Sequence, residues 1–310
     1  MLKKSSSHFI LFFFLYLFLS GSCAKDTVDT PSNQILPNWK NGQVLSDDEG
    51  WIECYVGDFP LVLSVPHGGS INPQHLPDQE CDDATTVKDT YTVELAEAIQ
   101  DVFQTKYNKK PFVIISHLAR TKLDQNRSLE EALCESQPEM EAAWHWYHHH
   151  VDSAVRLAAD KYGEALFVDL HAHGHDIQRL ELGYGLTISE IGKVYSGIEL
   201  NELMSKSSMT NYKDLNPEAN FRELLIGENA FGTLMAERGL PSVPSKQDPY
   251  PMSSEKYFNG GYNTRFFTSS DYTNVYGWQI ETNSSSRNTQ ERREDFAEAF
   301  AESILKILNI

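Results

Sequence analysis

The stretch LVLSVPHGGS, residues 61–70, reads as a buried β-strand that ends at a histidine. Mostly apolar, β-branched residues run to Val65, and the proline after it prevents the strand from continuing. His67 then stands at the end of the strand, followed by two glycines that give the backbone unusual freedom. The glycines either permit a tight turn or keep space open beside the imidazole for a ligand.

Three more segments are rich in β-branched and aromatic residues, which is typical of strands. They are Phe112–Ser116, Ala165–Leu170 and Val275–Glu281. Apolar residues also recur at helical spacing, which predicts helices at residues 89–107, 138–162, 217–239 and 289–308. Strands that alternate with helices predict an α/β fold, in which helices flank a central, mostly parallel mixed sheet.

The first 23 residues have the features of a secretory signal. Lysines precede an apolar run from Phe9 to Leu19, which is shorter than the roughly 20 residues that span a membrane. Small residues then lead to Cys23, which predicts either a lipid anchor or ordinary cleavage nearby, and so a cell-envelope or secreted protein. Residues 24–40 are a predicted polar tether, and residues 41–310 a single domain.

Charge and cysteine content exclude two classes of function. The formal net charge of −18 argues against nucleic-acid binding, although a local group of arginines can still attract a small anionic substrate. The remaining cysteines, Cys54, Cys81 and Cys134, lack CxxC spacing, so a cysteine-held metal site is not expected. One disulfide and one free thiol fit an oxidising compartment, and the pairing stays open.

Polar residues collect after the predicted strands, where an α/β sheet places its ligands. His67 follows the first strand and Arg120 lies shortly after the second. His171 follows the third strand, and Glu281 ends the fourth. Because these strand ends meet at one edge of a parallel sheet, we expect the four side chains to share a site.

Histidines at alternate positions after the third strand indicate a metal site. Asp169 and His171 project to the same side of the strand, and such a carboxylate can fix the tautomer of a metal-binding imidazole. We expect His171 rather than His173 to bind the metal, because it lies nearer the strand end. Together with His67, it would supply two of the three protein ligands that zinc hydrolases commonly use.

The third ligand is expected among the carboxylates after the first strand, namely Asp82, Asp83 and Asp89. Asp89 is equally well explained as the N-cap of the following helix, so the residue types alone leave its role open. Glu281 is a candidate general base, because a carboxylate beside a metal-activated water can accept its proton. The alternative for Glu281 is an exposed glutamate at a strand end.

Four residues are candidates for holding an acidic substrate: Arg120, Asn126, Arg127 and Arg265. The planar guanidinium of arginine binds a carboxylate through two parallel hydrogen bonds. Any single arginine of this kind is more often a partner in a surface ion pair. Asp124, between the first two arginines, is expected to orient one of them.

Six segments occur in an order that resembles the N-formylglutamate amidohydrolase family: SVPHGG, KDTYTVELA, ARTKLDQNRS, FVDLHAHGH, NGGYNTRFF and WQIET. The resemblance runs from about Leu61 to the C-terminal helix. It implies a fold similar to that of the zinc carboxypeptidases, a phosphorylase/hydrolase-like arrangement with a central mixed sheet. It also implies one zinc ion per chain, bound by His67, Asp89 and His171, with the two glycines after His67 leaving room for metal, water and substrate.

The same resemblance implies roles for the remaining candidates. Glu281 would be the general base, and Asn126, Arg127 and Arg265 would hold a substrate carboxylate. The sequence thus predicts an exported, zinc-dependent amidohydrolase that cleaves an amide bond of an N-formyl or N-acyl amino acid or a related acidic substrate. The alternatives are a carboxypeptidase-like peptidase for short peptides and a surface protein that binds acyl amino acids without catalysis. Membrane contact is expected only through a lipid on Cys23.

Overall fold

The computed structural model of the chain describes residues 36–310, which form one unit around an eight-stranded sheet. The predicted signal, residues 1–23, and residues 24–35 of the predicted tether lie outside the described residues. Within residues 36–310, no helix is long and apolar enough to cross a membrane.

The sheet has the spatial order β1-β2-β4-β3-β5-β8-β6-β7. The strands are β1 (Val44–Ser46), β2 (Ile52–Tyr55), β3 (Leu61–Val65), β4 (Phe112–Ser116), β5 (Ala165–Ala172), β6 (Leu180–Gly183), β7 (Ser242–Val243) and β8 (Val275–Thr282). Strands β4, β3, β5 and β8 run parallel, whereas β2 and β6 pair antiparallel with β4 and β8. The four strands predicted from the sequence are these central parallel strands, and the predicted mixed α/β sheet is confirmed.

The central strands are visible in the sequence because they are buried nearly throughout. A strand that is covered on both faces reads as a continuous apolar run. The strands outside this block have only two to four residues each, too few for a recognisable pattern. β5 extends two residues beyond its predicted end, so His171 belongs to the strand itself.

Ten α-helices and one short 3-10 helix, Ser284–Ser286, are present in residues 36–310. The α-helices are α1 (Thr92–Tyr107), α2 (Leu129–Ala132), α3 (Pro138–Tyr162), α4 (Ile188–Tyr195), α5 (Leu200–Lys206), α6 (Thr210–Leu215), α7 (Phe221–Ile226), α8 (Phe231–Glu237), α9 (Tyr262–Phe267) and α10 (Gln290–Ile307). α3 and α10 confirm two predicted helices, and α1 begins three residues later than predicted. Buried apolar clusters lie on both faces of the sheet, with α1 and α10 over one face and α3 over the other.

The prediction of one helix at residues 217–239 is wrong, because the chain folds there into α7 and α8. Gly227 follows α7 in an extended conformation, with φ −77° and ψ 179°. Ala230 is extended as well, and α8 begins after it. Glycine is a poor helix former, so the helix ends there. The apolar residues keep a helical spacing on both sides of the break, so the spacing alone does not reveal it.

A disulfide joins Cys81 to Cys134. It links the loop between β3 and α1 to the segment between α2 and α3. Cys54 is free and buried in β2, and burial raises the pKa of its thiol to about 12. The structure thereby resolves the pairing that the sequence left open.

Candidate metal centre

The candidate site lies at the carboxyl edge of the central strands, as the sequence predicts. His67 stands two residues beyond β3, and His171 is the penultimate residue of β5. Glu281, the penultimate residue of β8, pairs with His171 in the parallel ladder between these strands. The sheet register therefore places the predicted base beside a predicted ligand.

Three side-chain atoms converge at this edge. The Nδ1 atoms of His67 and His171 are 3.2 Å apart, and Asp89 Oδ2 lies 3.0 Å from His171 Nδ1 and 3.6 Å from His67 Nδ1. These sides define a circle of radius about 1.9 Å, close to the roughly 2.0–2.2 Å bonds that zinc makes with nitrogen and oxygen. All three residues are buried.

The outer nitrogen of each imidazole contacts a buried carboxylate. His67 Nε2 lies 2.7 Å from Asp124 Oδ1, and His171 Nε2 lies 2.9 Å from Asp169 Oδ2. These carboxylates favour the tautomers with a proton on Nε2, which leaves both Nδ1 lone pairs facing the centre. The contact between Asp169 and His171 is the one expected from their spacing.

Lone pairs of two imidazoles and one carboxylate therefore face one another in a buried space, and such an arrangement requires a cation. Burial lowers the pKa of His171, but Asp169 and Asp89 outweigh burial and raise it well above its usual value. Burial raises the pKa of Asp89, but hydrogen bonds with His171 and His67 hold it well below its usual range. Either a proton or a metal ion satisfies this centre, and the donor set of two nitrogens and one oxygen suits zinc.

Asp89 does not cap α1. The N-cap residue is Tyr91, and it makes no side-chain cap hydrogen bond. The Asp89 backbone carbonyl accepts hydrogen bonds from the Thr92 amide and hydroxyl, whereas its carboxylate accepts from the Ala172 amide and faces His171. The N-cap interpretation of Asp89 is therefore wrong, and its side chain belongs to the centre.

The two glycines after His67 serve close packing. A Cβ atom on Gly68 would lie 2.4 Å from the Thr92 hydroxyl, and one on Gly69 would lie 2.2 Å from the carbonyl carbon of His117. Any side chain would push the loop away from α1 and from the end of β4. The expectation that these glycines leave room for ligands is replaced by this explanation.

Glu281 is buried, which rules out the alternative of an exposed strand-end glutamate. Gln279 Nε2 donates a 2.8 Å hydrogen bond to Glu281 Oε1, and Gln279 Oε1 accepts one from the Gly261 amide at 2.6 Å. Burial raises the pKa of Glu281 to about 8, with His171 opposing this and Asp89 adding to it. The carboxyl group is thus held in place beside His171.

The predicted substrate-binding residues line one open cavity of about 620 Å³: Arg120, Asn126, Arg127 and Arg265. The cavity adjoins the metal centre. Arg120 Nη1 lies 3.8 Å from Asp89 Oδ1, and Asn126 Nδ2 lies 3.2 Å from His171 Nε2. Glu131 and Asp271 also line this cavity, so its three arginines leave a small excess of positive charge, which suits a small anionic ligand.

The arginines differ in their free donors. Arg120 directs Nε and Nη2 at Asp124 and Nη1 at the Val87 carbonyl. Arg127 donates hydrogen bonds from Nε to Asp124 and from Nη2 to the Thr85 hydroxyl. Its Nη1 has no partner among residues 36–310. The Arg265 side chain is exposed, and within residues 36–310 it makes one hydrogen bond, of 3.2 Å, to Asn259 Oδ1. Arg127 and Arg265 are therefore better placed than Arg120 to bind a ligand.

A second group of possible metal ligands has its hydrogen-bond donors and acceptors already paired, unlike the first. It consists of His173, His175 and Glu181. His173 Nε2 donates to the Arg179 carbonyl at 2.8 Å, and its Nδ1 accepts from the His175 amide at 3.1 Å. His175 Nδ1 contacts Glu181 Oε1 at 2.8 Å. These contacts pair donors with acceptors, so no cation is needed there.

Two buried residues of the site were missed or underestimated by sequence reasoning. Asp124 contacts Arg120 and Arg127, as expected, but it also contacts His67, 57 positions away, which sequence spacing does not show. Arg287 lies between the segments that carry Asp89 and Glu281. The only signal in the sequence was its place after the polar run that follows Glu281.

Solved structures that are similar to this chain include the following two. One is an N-formylglutamate amidohydrolase from Ralstonia eutropha JMP134, with 12% identity and a TM-score of 0.48, covering 84% of this chain and 99% of that chain. The other is a gene product from Agrobacterium tumefaciens, with 10% identity and a TM-score of 0.44, covering 83% and 96%. No protein-family model and no curated protein sequence matches the chain. The likeness assigns no activity, and the family resemblance of the motifs stays a prediction.

Proposed function

We propose that this chain is a zinc-dependent hydrolase that cleaves the amide bond of an N-formyl or N-acyl amino acid or a related small acidic substrate. The observation that carries the proposal is the convergence of His67 Nδ1, His171 Nδ1 and Asp89 Oδ2 beside the buried carboxyl group of Glu281. A bound zinc ion would supply Lewis-acid chemistry, polarising the scissile carbonyl and lowering the pKa of a water molecule.

The chain's own residues supply the remaining chemistry. Glu281 accepts a proton from the attacking water and passes it to the leaving nitrogen. Addition of water forms the new C–O bond first, and the C–N bond then breaks as the nitrogen takes up the proton from Glu281, so the products are a carboxylic acid and an amine. Arg127 and Arg265 bind the substrate carboxylate through their free donors, and Arg120 holds Asp124 in place for His67.

The proposal places the reaction in the cell envelope or outside the cell. Its basis is the signal pattern of residues 1–23 in the sequence, with a possible lipid on Cys23. The disulfide between Cys81 and Cys134 supports it, because disulfides persist in oxidising compartments.

The experiment that tests the proposal compares the wild-type chain with Glu281→Gln. We expect about one zinc per chain in both, because Glu281 is not a ligand, and a loss of at least about 100-fold in turnover in the variant. Metal content is measured by mass spectrometry, and hydrolysis by amine release from N-formyl-L-glutamate, N-acetyl-L-glutamate and a dipeptide. Faster cleavage of the dipeptide favours the peptidase alternative, and a zinc-free wild-type chain after zinc loading contradicts the mechanism.

A further inference from the structure

Arg287 is a buried cation that makes no direct ion pair within residues 36–310. It is 8% exposed, and among residues 36–310 it forms no salt bridge. Arg179, which is 5% exposed, shows the usual solution, since Asp248 and Glu255 each lie 2.7 Å from its guanidinium. Burying an unpaired charge is costly, so the position of Arg287 requires an explanation.

The two hydrogen bonds of Arg287 join it to the residues that directly follow Asp89 and Glu281 in the chain. Its Nε donates to the Thr90 carbonyl at 2.8 Å, and its Nη1 donates to the Thr282 carbonyl at 2.6 Å. Thr90 directly follows Asp89, and Thr282 directly follows Glu281. The guanidinium thus bridges the segment that carries a proposed metal ligand and the strand that carries the proposed base.

Nη2 of Arg287 has no hydrogen-bond partner within the described part of the chain. Burial lowers the pKa of Arg287, and the negative charges that oppose this effect are those of Asp89 and Glu281. Asp89 and Glu281 are 6% and 5% exposed, similar to Arg287, so all three reach solvent to the same small extent. A fixed cationic donor in such a water-poor space suits an oxygen atom that gains negative charge during a reaction.

We propose that Arg287 binds the carbonyl oxygen of the substrate through Nη2 and stabilises the negative charge that this oxygen gains when water attacks. The inference rests on the proposed function and adds a residue to it. It divides the cations of the site into two classes: Arg127 and Arg265 bind the substrate carboxylate, and Arg287 acts at the bond that breaks.

The test uses the full chain with Arg287→Met and Arg287→Lys, and Arg179→Met as the matched loss of a buried arginine outside the centre. In Arg287→Met, we expect kcat for N-acetyl-L-glutamate to fall by about 100-fold or more, with KM within about threefold of wild type. Zinc content should stay at the wild-type level. Arg287→Lys should regain about tenfold in kcat, because it restores the charge without the forked geometry. Arg179→Met should keep the wild-type kcat.

A second readout is independent of turnover. The probe is a phosphinate analogue of N-acetyl-L-glutamate, in which a tetrahedral, negatively charged phosphorus group replaces the amide carbonyl. Calorimetry should show binding about 100-fold weaker in Arg287→Met than in wild type, and unchanged binding in Arg179→Met. If the wild type binds the analogue but hydrolyses no acyl amino acid, the proposed function fails and the analogue still decides the role of Arg287.

Two results would overturn the inference. One is analogue binding in Arg287→Met that equals the wild-type value. The other is a loss of kcat in both Arg287 variants that is accompanied by equal losses of zinc and melting temperature. That pattern would make Arg287 only a structural clamp between Thr90 and Thr282.

Discussion

His67 and His171 face each other through their Nδ1 atoms at 3.2 Å, and the opposite nitrogen of each ring contacts a different buried aspartate. A core histidine normally directs one nitrogen at a donor and the other at an acceptor. Here both inner nitrogens and the Asp89 carboxylate are acceptors when the outer nitrogens carry the protons. A proton on one inner nitrogen or a metal ion would satisfy this arrangement, and the proposed function assigns it to a metal ion.

Removing one inner nitrogen should remove the metal. We expect His171→Ala to contain no zinc after purification and dialysis, because only His67 and Asp89 would then remain as ligands. His175→Ala is the matched control, since His175 is another histidine after β5 whose contacts are already paired. Zinc is measured by mass spectrometry against protein concentration. Equal zinc content in His171→Ala and the control would contradict the proposed ligand set.

The aspartates behind the two imidazoles should set metal affinity. Replacing Asp169 by Asn removes the acceptor for His171 Nε2, and zinc affinity should fall about 10–100-fold. Asp124→Asn should cause a similar loss and should also raise KM, because Asp124 holds Arg127 as well as His67. Competition with a chromophoric chelator gives the zinc Kd, and steady-state rates at saturating zinc give KM. A KM change in Asp169→Asn equal to that in Asp124→Asn would show that the two aspartates do not differ in this way.

The strand pattern locates some residues of the candidate site, whereas contacts between distant segments of the chain bring in the others. His67 follows β3, and His171 and Glu281 lie at the ends of β5 and β8. These strands are buried on both faces, so the strand pattern and the edge of a parallel sheet locate the three residues. Asp89 was ambiguous, because an aspartate before a helix is also a good cap, and only the side-chain direction decides between the roles.

Long-range contacts account for what the sequence did not show. Asp124, in the loop after β4, contacts His67 in the loop after β3. Arg287, in the segment after β8, donates a hydrogen bond to the Thr90 carbonyl just before α1. Neither contact leaves a periodic signal. The short strands β1 and β7 were missed for a related reason, since two or three residues cannot display an alternation.

The exposed arginine of the cavity should act on binding of the substrate carboxylate. Arg265→Met is expected to raise KM for N-formyl-L-glutamate by about 10–100-fold, the range for a lost hydrogen bond to a charged group. kcat should change little, because Arg265 contacts neither the metal ligands nor Glu281.

The uncharged dimethyl ester of the same substrate provides the control for Arg265. Wild type and Arg265→Met should have the same KM for the ester, because it lacks the carboxylate that Arg265 binds. If KM for the ester differed between wild type and Arg265→Met as much as KM for N-formyl-L-glutamate does, carboxylate recognition by Arg265 would be contradicted.

In contrast, Arg120→Met should weaken zinc binding, because Arg120 supports Asp124 and lies near Asp89.

His148, buried in α3, should make the fold sensitive to mild acid. Its Nδ1 lies 2.9 Å from the Trp144 carbonyl oxygen, and its Nε2 lies 3.2 Å from Asn263 Oδ1. Burial lowers the pKa of His148 to about 4 and outweighs these two oxygens, which favour the charged ring. In the unfolded chain a histidine titrates near about 6.5, so between about pH 6.5 and 4 the unfolded state binds more protons. The stabilisation from the neutral ring is thus complete above about pH 6.5 and is lost as the pH falls, by on the order of 3 kcal/mol in total.

His148→Gln removes this titration, so the difference in unfolding free energy between wild type and variant should depend on pH. At pH 8 the wild type should be the more stable, because the variant loses packing against Trp144. As the pH falls to 5, that advantage should shrink by on the order of 2 kcal/mol, since the wild type alone loses stability through His148. Urea unfolding at both values, in the same buffer ionic strength, provides the measurement. A difference between the two proteins that is constant from pH 8 to 5 would show that His148 takes up its proton equally easily in the folded and unfolded chains.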